Sequence, residues 1–155
     1  MSRKLVAYFS ASGTTARLAK TVADTLDADL FAIEPTEPYS SADLNWNNTR
    51  SRSSVEMNDK SSRVAIARRV ENMSDYDTIV IGYPIWWGVA PHIINSFLES
   101  YDLSGKTVIP FATSGGSGIG NPDVYLKPSA KGATLRKGKL LRSTAGKSEI
   151  EELLQ

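Results

Sequence analysis

Apolar positions in this chain alternate between short unbroken blocks and longer stretches in which they recur every three to four residues, with polar turns between. Leu5 to Phe9 is a block short enough for a buried strand, and Leu18, Val22 and Leu26, flanked by Ala19 and Ala23, then repeat at helical spacing through about residues 14–27. Leu30 to Ile33 predicts a second strand, and Arg63 to Met73 a second helix with Val64, Ala67 and Val70 on one face. Thr78 to Ile81 predicts a third strand, Ile93, Ile94, Phe97 and Leu98 a third helix, and Thr107 to Ala112 a fourth strand. Asn121-Pro122-Asp123 has the form of a helix cap with proline in the first turn. Ala133 to Leu141 predicts a fifth strand, and Ser148-Glu-Ile-Glu opens a last helix through Leu154, its acids favourably placed against the helix dipole.

Strands separated by helices pair in parallel through right-handed crossovers, and near-continuous apolar strands suit a sheet covered on both faces. The expected fold is therefore a three-layer α/β domain, with residues 1–155 as one unit of a size that buries a core without disulfides or a metal. Such folds bind ligands outside the carboxyl ends of the strands, where the strand order reverses. The loops after strands one, three and four are also the least ordinary segments of the chain.

After strand one, Ser10-Ala11-Ser12-Gly13-Thr14-Thr15 runs directly into a helix. Its hydroxyls can donate, Gly13 lets the backbone come close, and the helix turns unpaired N–H groups toward an anion. A phosphate-binding Walker loop needs a lysine after its second glycine, and a dinucleotide turn needs three spaced glycines; neither is present. The turn suits one terminal phosphate, or is a strand-to-helix junction capped by Ser12 or Thr14. After strand three, Pro84-Ile85-Trp86-Trp87-Gly88 places two tryptophans in a loop, where a flat ligand would cover them. After strand four, Thr113-Ser114-Gly115-Gly116-Ser117-Gly118 has almost no side chains, so its amides can approach the edge of a heterocycle.

With no cysteine and one histidine, His92, the chain has no thiolate chemistry, no Cys-ligated metal and no His-rich metal site. A formal charge of +1 gives no reason to expect nucleic acid or an anionic membrane as partner. No apolar run is long enough for a signal region or a membrane span, so the expected location is cytoplasmic. A phosphoacceptor domain would need an acidic cluster at the strand ends, which carry Ser10, Glu34, Tyr83 and Thr113 instead.

The three motifs in this order, over nearly the whole chain, resemble the flavodoxin-like family, in particular its short FMN-binding proteins of the flavodoxin and NAD(P)H-dependent FMN or quinone reductase type. The resemblance implies a five-stranded parallel sheet in the order 2-1-3-4-5 and FMN as cofactor. It implies that Ser10, Ala11, Ser12, Gly13, Thr14 and Thr15 hold the phosphate. Pro84, Ile85, Trp86, Trp87 and Gly88 would line the isoalloxazine, with either Trp86 or Trp87 stacking on it. Thr113, Ser114, Gly115, Gly116 and Gly118 would contact the pyrimidine edge.

Two features depart from dedicated electron carriers of this family. Those carriers are strongly acidic, which steers them to basic partners, whereas this chain is nearly neutral. The segment Glu34 to Ser62 is also too long for a simple connection. It reads either as a lid over a substrate or as a surface loop tied down by Trp46 and its asparagines. The favoured reading is an oxidoreductase passing electrons from a reduced nicotinamide or a protein donor to a quinone-like or other small acceptor. A carrier between redox proteins and a flavin-carrying regulatory module stay open, as does the oligomeric state. His92, opening the third helix, reads as exposed or as a proton donor at the flavin rim. Arg136, Lys137, Lys139 and Arg142 read as a solvated strand edge.

Overall fold

The computed structural model describes residues 3–10, 13–45, 47–59, 61–86, 89–113, 119, 122–142 and 144–154. The strands are β1 (Lys4–Tyr8), β2 (Asp29–Ala32), β3 (Thr78–Pro84), β4 (Thr107–Thr113), β5 (Thr134–Leu135) and β6 (Lys139–Leu140). The helices are α1 (Thr14–Leu26), α2 (Arg52–Asn58), α3 (His92–Glu99), α4 (Pro122–Tyr125) and α5 (Lys147–Glu151).

The sheet is wholly parallel in the order β2-β1-β3-β4-β5, with β6 also on β4. Leaving β1, the chain turns first to one side for β2 and then crosses to the other for β3, so the order reverses at the carboxyl ends of β1 and β3. Each face carries its own apolar layer. Val6, Val80, Ile109 and Phe111 pack against Leu18, Val22 and Leu26 of α1 and Ile150 of α5. Leu5, Ala7, Ile79, Ile81 and Val108 pack against Ile93, Ile94, Phe97 and Leu98 of α3. The alternation of β1, β3 and β4 side chains between the two layers is the period-two geometry of a strand covered on both sides.

Two expectations need correction. The passage 63–73 contains no α-helix, and only Met73 enters a helical turn, the 3-10 turn Met73–Asp75. Its amides bond elsewhere: Val64 N–H donates to Ser96 Oγ, Ala67 N–H to the Glu34 carbonyl and Val70 N–H to Tyr101 Oη. Ile66 forms an antiparallel bridge with Pro35, while Ala67 stays exposed. The helix of this region is instead α2, inside the long segment, where the Ser51 side chain accepts from Ser54 N–H at its start. The fifth strand is divided, because Gly138 stands at φ 73° with an added Cβ only 2.1 Å from the Pro110 carbonyl oxygen. A side chain fits neither the space nor the dihedral there. At this edge Arg136, Lys137 and Arg142 are exposed, and Lys139 pairs with Glu152.

Candidate functional site

The turn into α1 is built around a glycine. Gly13 is the helix N-cap with φ 95°, so Thr14 is the first helical residue rather than the cap expected as one possibility; the other, Ser12, lies outside the described residues. Gly13 N–H donates to Ser10 Oγ at 3.0 Å, closing the turn, and the Ser10 hydroxyl keeps its own hydrogen to give. The first amides of α1 thus lie at the carboxyl edge of the sheet at its switch point, and among the described residues no side chain caps them. Arg17, which motif reading passed over, supplies the cation the turn itself lacks: its Nη1 lies 3.5 Å from where a Gly13 Cβ would be. The i, i+4 spacing from Gly13 is the signal, since it sets a side chain over the preceding turn.

Thr15 has a different part from Thr14. It is buried, and its hydroxyl bonds Thr113 Oγ1 at 2.7 Å, joining the first loop to the end of β4. The Thr113 carbonyl in turn accepts from Ile85 N–H at 3.0 Å, and Pro84 pairs with Thr113 in the sheet register. Thus Gly13, Thr15, Pro84, Ile85 and Thr113 converge through one chain of bonds. The far end of the third loop is fixed by tyrosines. Tyr125 Oη donates to the Ile119 carbonyl at 2.7 Å, so the Tyr83 hydroxyl, 3.0 Å away, is the donor to Tyr125. Burial pushes the Tyr83 phenol well above its ordinary range, which keeps that proton in place.

Trp86 bonds Val89 through both backbone groups, a tight turn that carries the ring toward the long segment. It meets Phe9 at 5.6 Å and Tyr39 at 5.4 Å between ring centroids, both nearly perpendicular, the favoured edge-to-face arrangement. Tyr39 is held by α2: its hydroxyl donates to Glu56 Oε1 at 2.5 Å, and the Arg52 guanidinium, itself bonded to Glu56, lies 3.9 Å from the Tyr39 ring centre. Burial and the Glu56 carboxylate push the Tyr39 phenol far up, so it remains a donor. The Glu34–Ser62 segment is thereby docked on the second loop. Ala11, Ser12, Trp46, Trp87, Gly88, Ser114, Gly115, Gly116 and Gly118 lie outside the described residues.

His92 is buried rather than exposed. Its Nδ1 is 2.6 Å from Ser62 Oγ, and burial lowers its pKa below the ordinary imidazole value. Among the described residues there is no cluster of metal-ligating side chains, and no helix is long and apolar enough to cross a membrane.

Two crystal structures from Bacteroides share this fold closely. One, provisionally described as a flavoprotein of Bacteroides eggerthii, is 52% identical with a TM-score of 0.93 over 99% of this chain and 96% of that one. The other, described likewise from Bacteroides uniformis, is 49% identical with a TM-score of 0.91 over 99% and 97%. A flavoprotein of Lactobacillus acidophilus in complex with FMN, at 21% identity, aligns over 100% of both chains with a TM-score of 0.72. No curated protein matches the chain. The model of the family described as Flavodoxin matches residues 3–155, and with the sheet order it places this chain in the flavodoxin family.

Proposed function

We propose that the chain binds FMN at the carboxyl edge of β1, β3 and β4 and acts as an oxidoreductase. Electrons would pass from a reduced nicotinamide or a protein donor to a quinone-like or other small acceptor. The observation that carries this reading is the glycine-headed start of α1 at the switch point, with Ser10 closing the turn and Arg17 beside it. Amide donors, a hydroxyl and one guanidinium are the donor set that a phosphate monoester needs, and the FMN complex of the Lactobacillus relative supports the same assignment.

Bound FMN supplies the electron-transfer chemistry, and the protein supplies binding, orientation and exclusion of water. Gly13 leaves room for the phosphate, and the Thr15–Thr113 bond holds the first and third loops in register around it. Pro84 and Ile85, fixed to Thr113, would line the ring with their backbone, and Trp86, docked on the long segment through Tyr39, would close the site on that side. The docking of that segment through Tyr39 and α2 favours a small-molecule acceptor over a protein, because it narrows access to the cofactor edge. The near-neutral charge points the same way.

The test is steady-state NADPH oxidation by FMN-loaded protein with a small naphthoquinone as acceptor. Acceptor-dependent turnover supports the enzyme reading. Fast, salt-sensitive reduction by a flavoprotein reductase without quinone turnover makes the chain a carrier instead.

A further inference from the structure

A cavity of about 420 Å³ lies between α2, the start of α3, and α4 with the chain that follows it. That is the size of a small-molecule site. Met57, Val89, Ala90, Val124 and Pro128 give it apolar walls, and Met57 comes from the docked segment. Its polar character follows from counting hydrogens.

Ser62 Oγ has one hydrogen and lies 2.6 Å from both the Glu56 carbonyl oxygen and His92 Nδ1. A carbonyl only accepts, so the serine hydrogen goes to Glu56 and His92 Nδ1 must be the donor to Ser62. The imidazole is therefore the Nδ1–H tautomer, facing Ser62 Oγ and the Glu56 backbone carbonyl, which leaves the Nε2 lone pair as what the ring can offer the cavity. The burial that lowers the His92 pKa keeps the ring in this neutral form at pH 7.5.

Asn95 is oriented by the same logic. Its Nδ2 donates to the Tyr125 carbonyl at 2.8 Å and to Ser129 Oγ at 2.9 Å, which spends both amide hydrogens and leaves Oδ1 as an acceptor. Two hydroxyl donors at the cavity wall are spent as well. Ser129 Oγ–H goes to Glu99 Oε2 at 2.7 Å, and Tyr125 Oη–H goes to Ile119. The Arg63 guanidinium is paired with the Glu99 carboxylate by bonds of 2.8 and 2.9 Å and gives another N–H to the Ser62 carbonyl at 2.7 Å, which directs it away from a ligand anion. His92 and Asn95 both line the cavity, and what they have left to offer it is lone pairs.

We propose that this cavity is a second small-molecule site, selective for a neutral aromatic compound bearing O–H donors, a phenol or hydroquinone, over a quinone or an anion. A quinone brings only acceptors to His92 Nε2 and Asn95 Oδ1. Its two-electron, two-proton reduction product brings the hydroxyls that they can receive. Resting on the oxidoreductase reading, the cavity is the subsite that holds the acceptor in its reduced form, which makes reduction of a bound acceptor more favourable.

The experiment is calorimetric titration of the FMN-loaded chain at pH 7.5 with 2-naphthol, 2-methoxynaphthalene and 1,4-naphthoquinone. The expected result is 2-naphthol binding at least tenfold more tightly than either analogue. His92→Phe should erase the preference for the free hydroxyl. Val124→Trp, at a rim position 72% exposed and safe for folding, should fill the opening and weaken 2-naphthol at least tenfold. Equal affinities for the three probes, no binding of any, or no effect of Val124→Trp would each overturn the proposal. A parallel FMN titration of the apoprotein separates the two readings. Failure of 2-naphthol with FMN binding intact sinks the cavity alone, whereas naphthol binding to a chain that takes up no FMN sinks the oxidoreductase reading.

Discussion

Replacing Thr15 with valine removes one hydroxyl from a buried pair and changes little else. Thr15 is 2% and Thr113 6% exposed, and their hydroxyls are 2.7 Å apart. Valine has nearly the same shape and similar helix propensity, so the loss is that of the bond and of the partner left without it. A buried hydroxyl deprived of its partner costs about 1–3 kcal/mol. In a domain of this length that lowers the unfolding midpoint by roughly 2–4 °C per kcal/mol. Thr113→Val should cost the same amount, from the other side. The double variant removes both polar groups and restores an apolar contact, so it should cost clearly less than the two single changes together, a coupling of about 1–2 kcal/mol. The assay is reversible denaturation of the apoprotein for the four members of the cycle, with FMN affinity measured on each. Because the bond joins the first loop to the third, both single variants should also bind FMN more weakly. Additive destabilisation would mean that the two hydroxyls do not act as a pair. Unchanged FMN affinity would mean that the loops are registered by something else.

Gly13→Val forces a β-branched residue to φ 95°, a strain of about 1–3 kcal/mol, and crowds the phosphate approach, so FMN titration should show at least a tenfold loss. Arg17→Ala should weaken FMN about tenfold while leaving riboflavin affinity unchanged, because the guanidinium stands beside the phosphate turn alone. His92 has its folded pKa lowered by burial, so the folded state binds fewer protons than the unfolded chain between the two values. Its contribution is complete above the unfolded value of about 6.5 and is lost as pH falls through the lowered one. The unfolding midpoint measured between pH 7.5 and 5.5 should therefore fall in the native protein and fall less in His92→Phe.

The elements readable from the sequence are those whose pattern is set by a two-sided core. β1, β3, β4, α1 and α3 each present a period that only a covered sheet or an amphipathic helix explains, and Gly13 in its turn marks the site by its conformation. The passage 63–73 misled because Val64 and Val70 are buried at a spacing a helix also gives. Its backbone partners, the Glu34 carbonyl and the side chains of Ser96 and Tyr101, are remote in sequence and invisible to a local pattern. α2 escaped for the opposite reason: its side chains bind Tyr39 by charge and hydrogen bond rather than through an apolar stripe. Among the site residues, Thr15 reads as a phosphate donor from its place in the motif. Only the tertiary contact shows that its hydroxyl also bonds Thr113 at the end of β4. His92 needed Ser62, thirty residues earlier, to reveal its tautomer.

The central claim is that the turn from β1 to α1 receives a phosphate, and parallel titration of the apoprotein with FMN and with riboflavin tests it most directly. The two ligands share the ring and the ribityl chain and differ only in the phosphate that the α1 amides, Ser10 and Arg17 are placed to hold. The account predicts that FMN binds at least a hundredfold more tightly, about 2.7 kcal/mol. Equal affinities would contradict it.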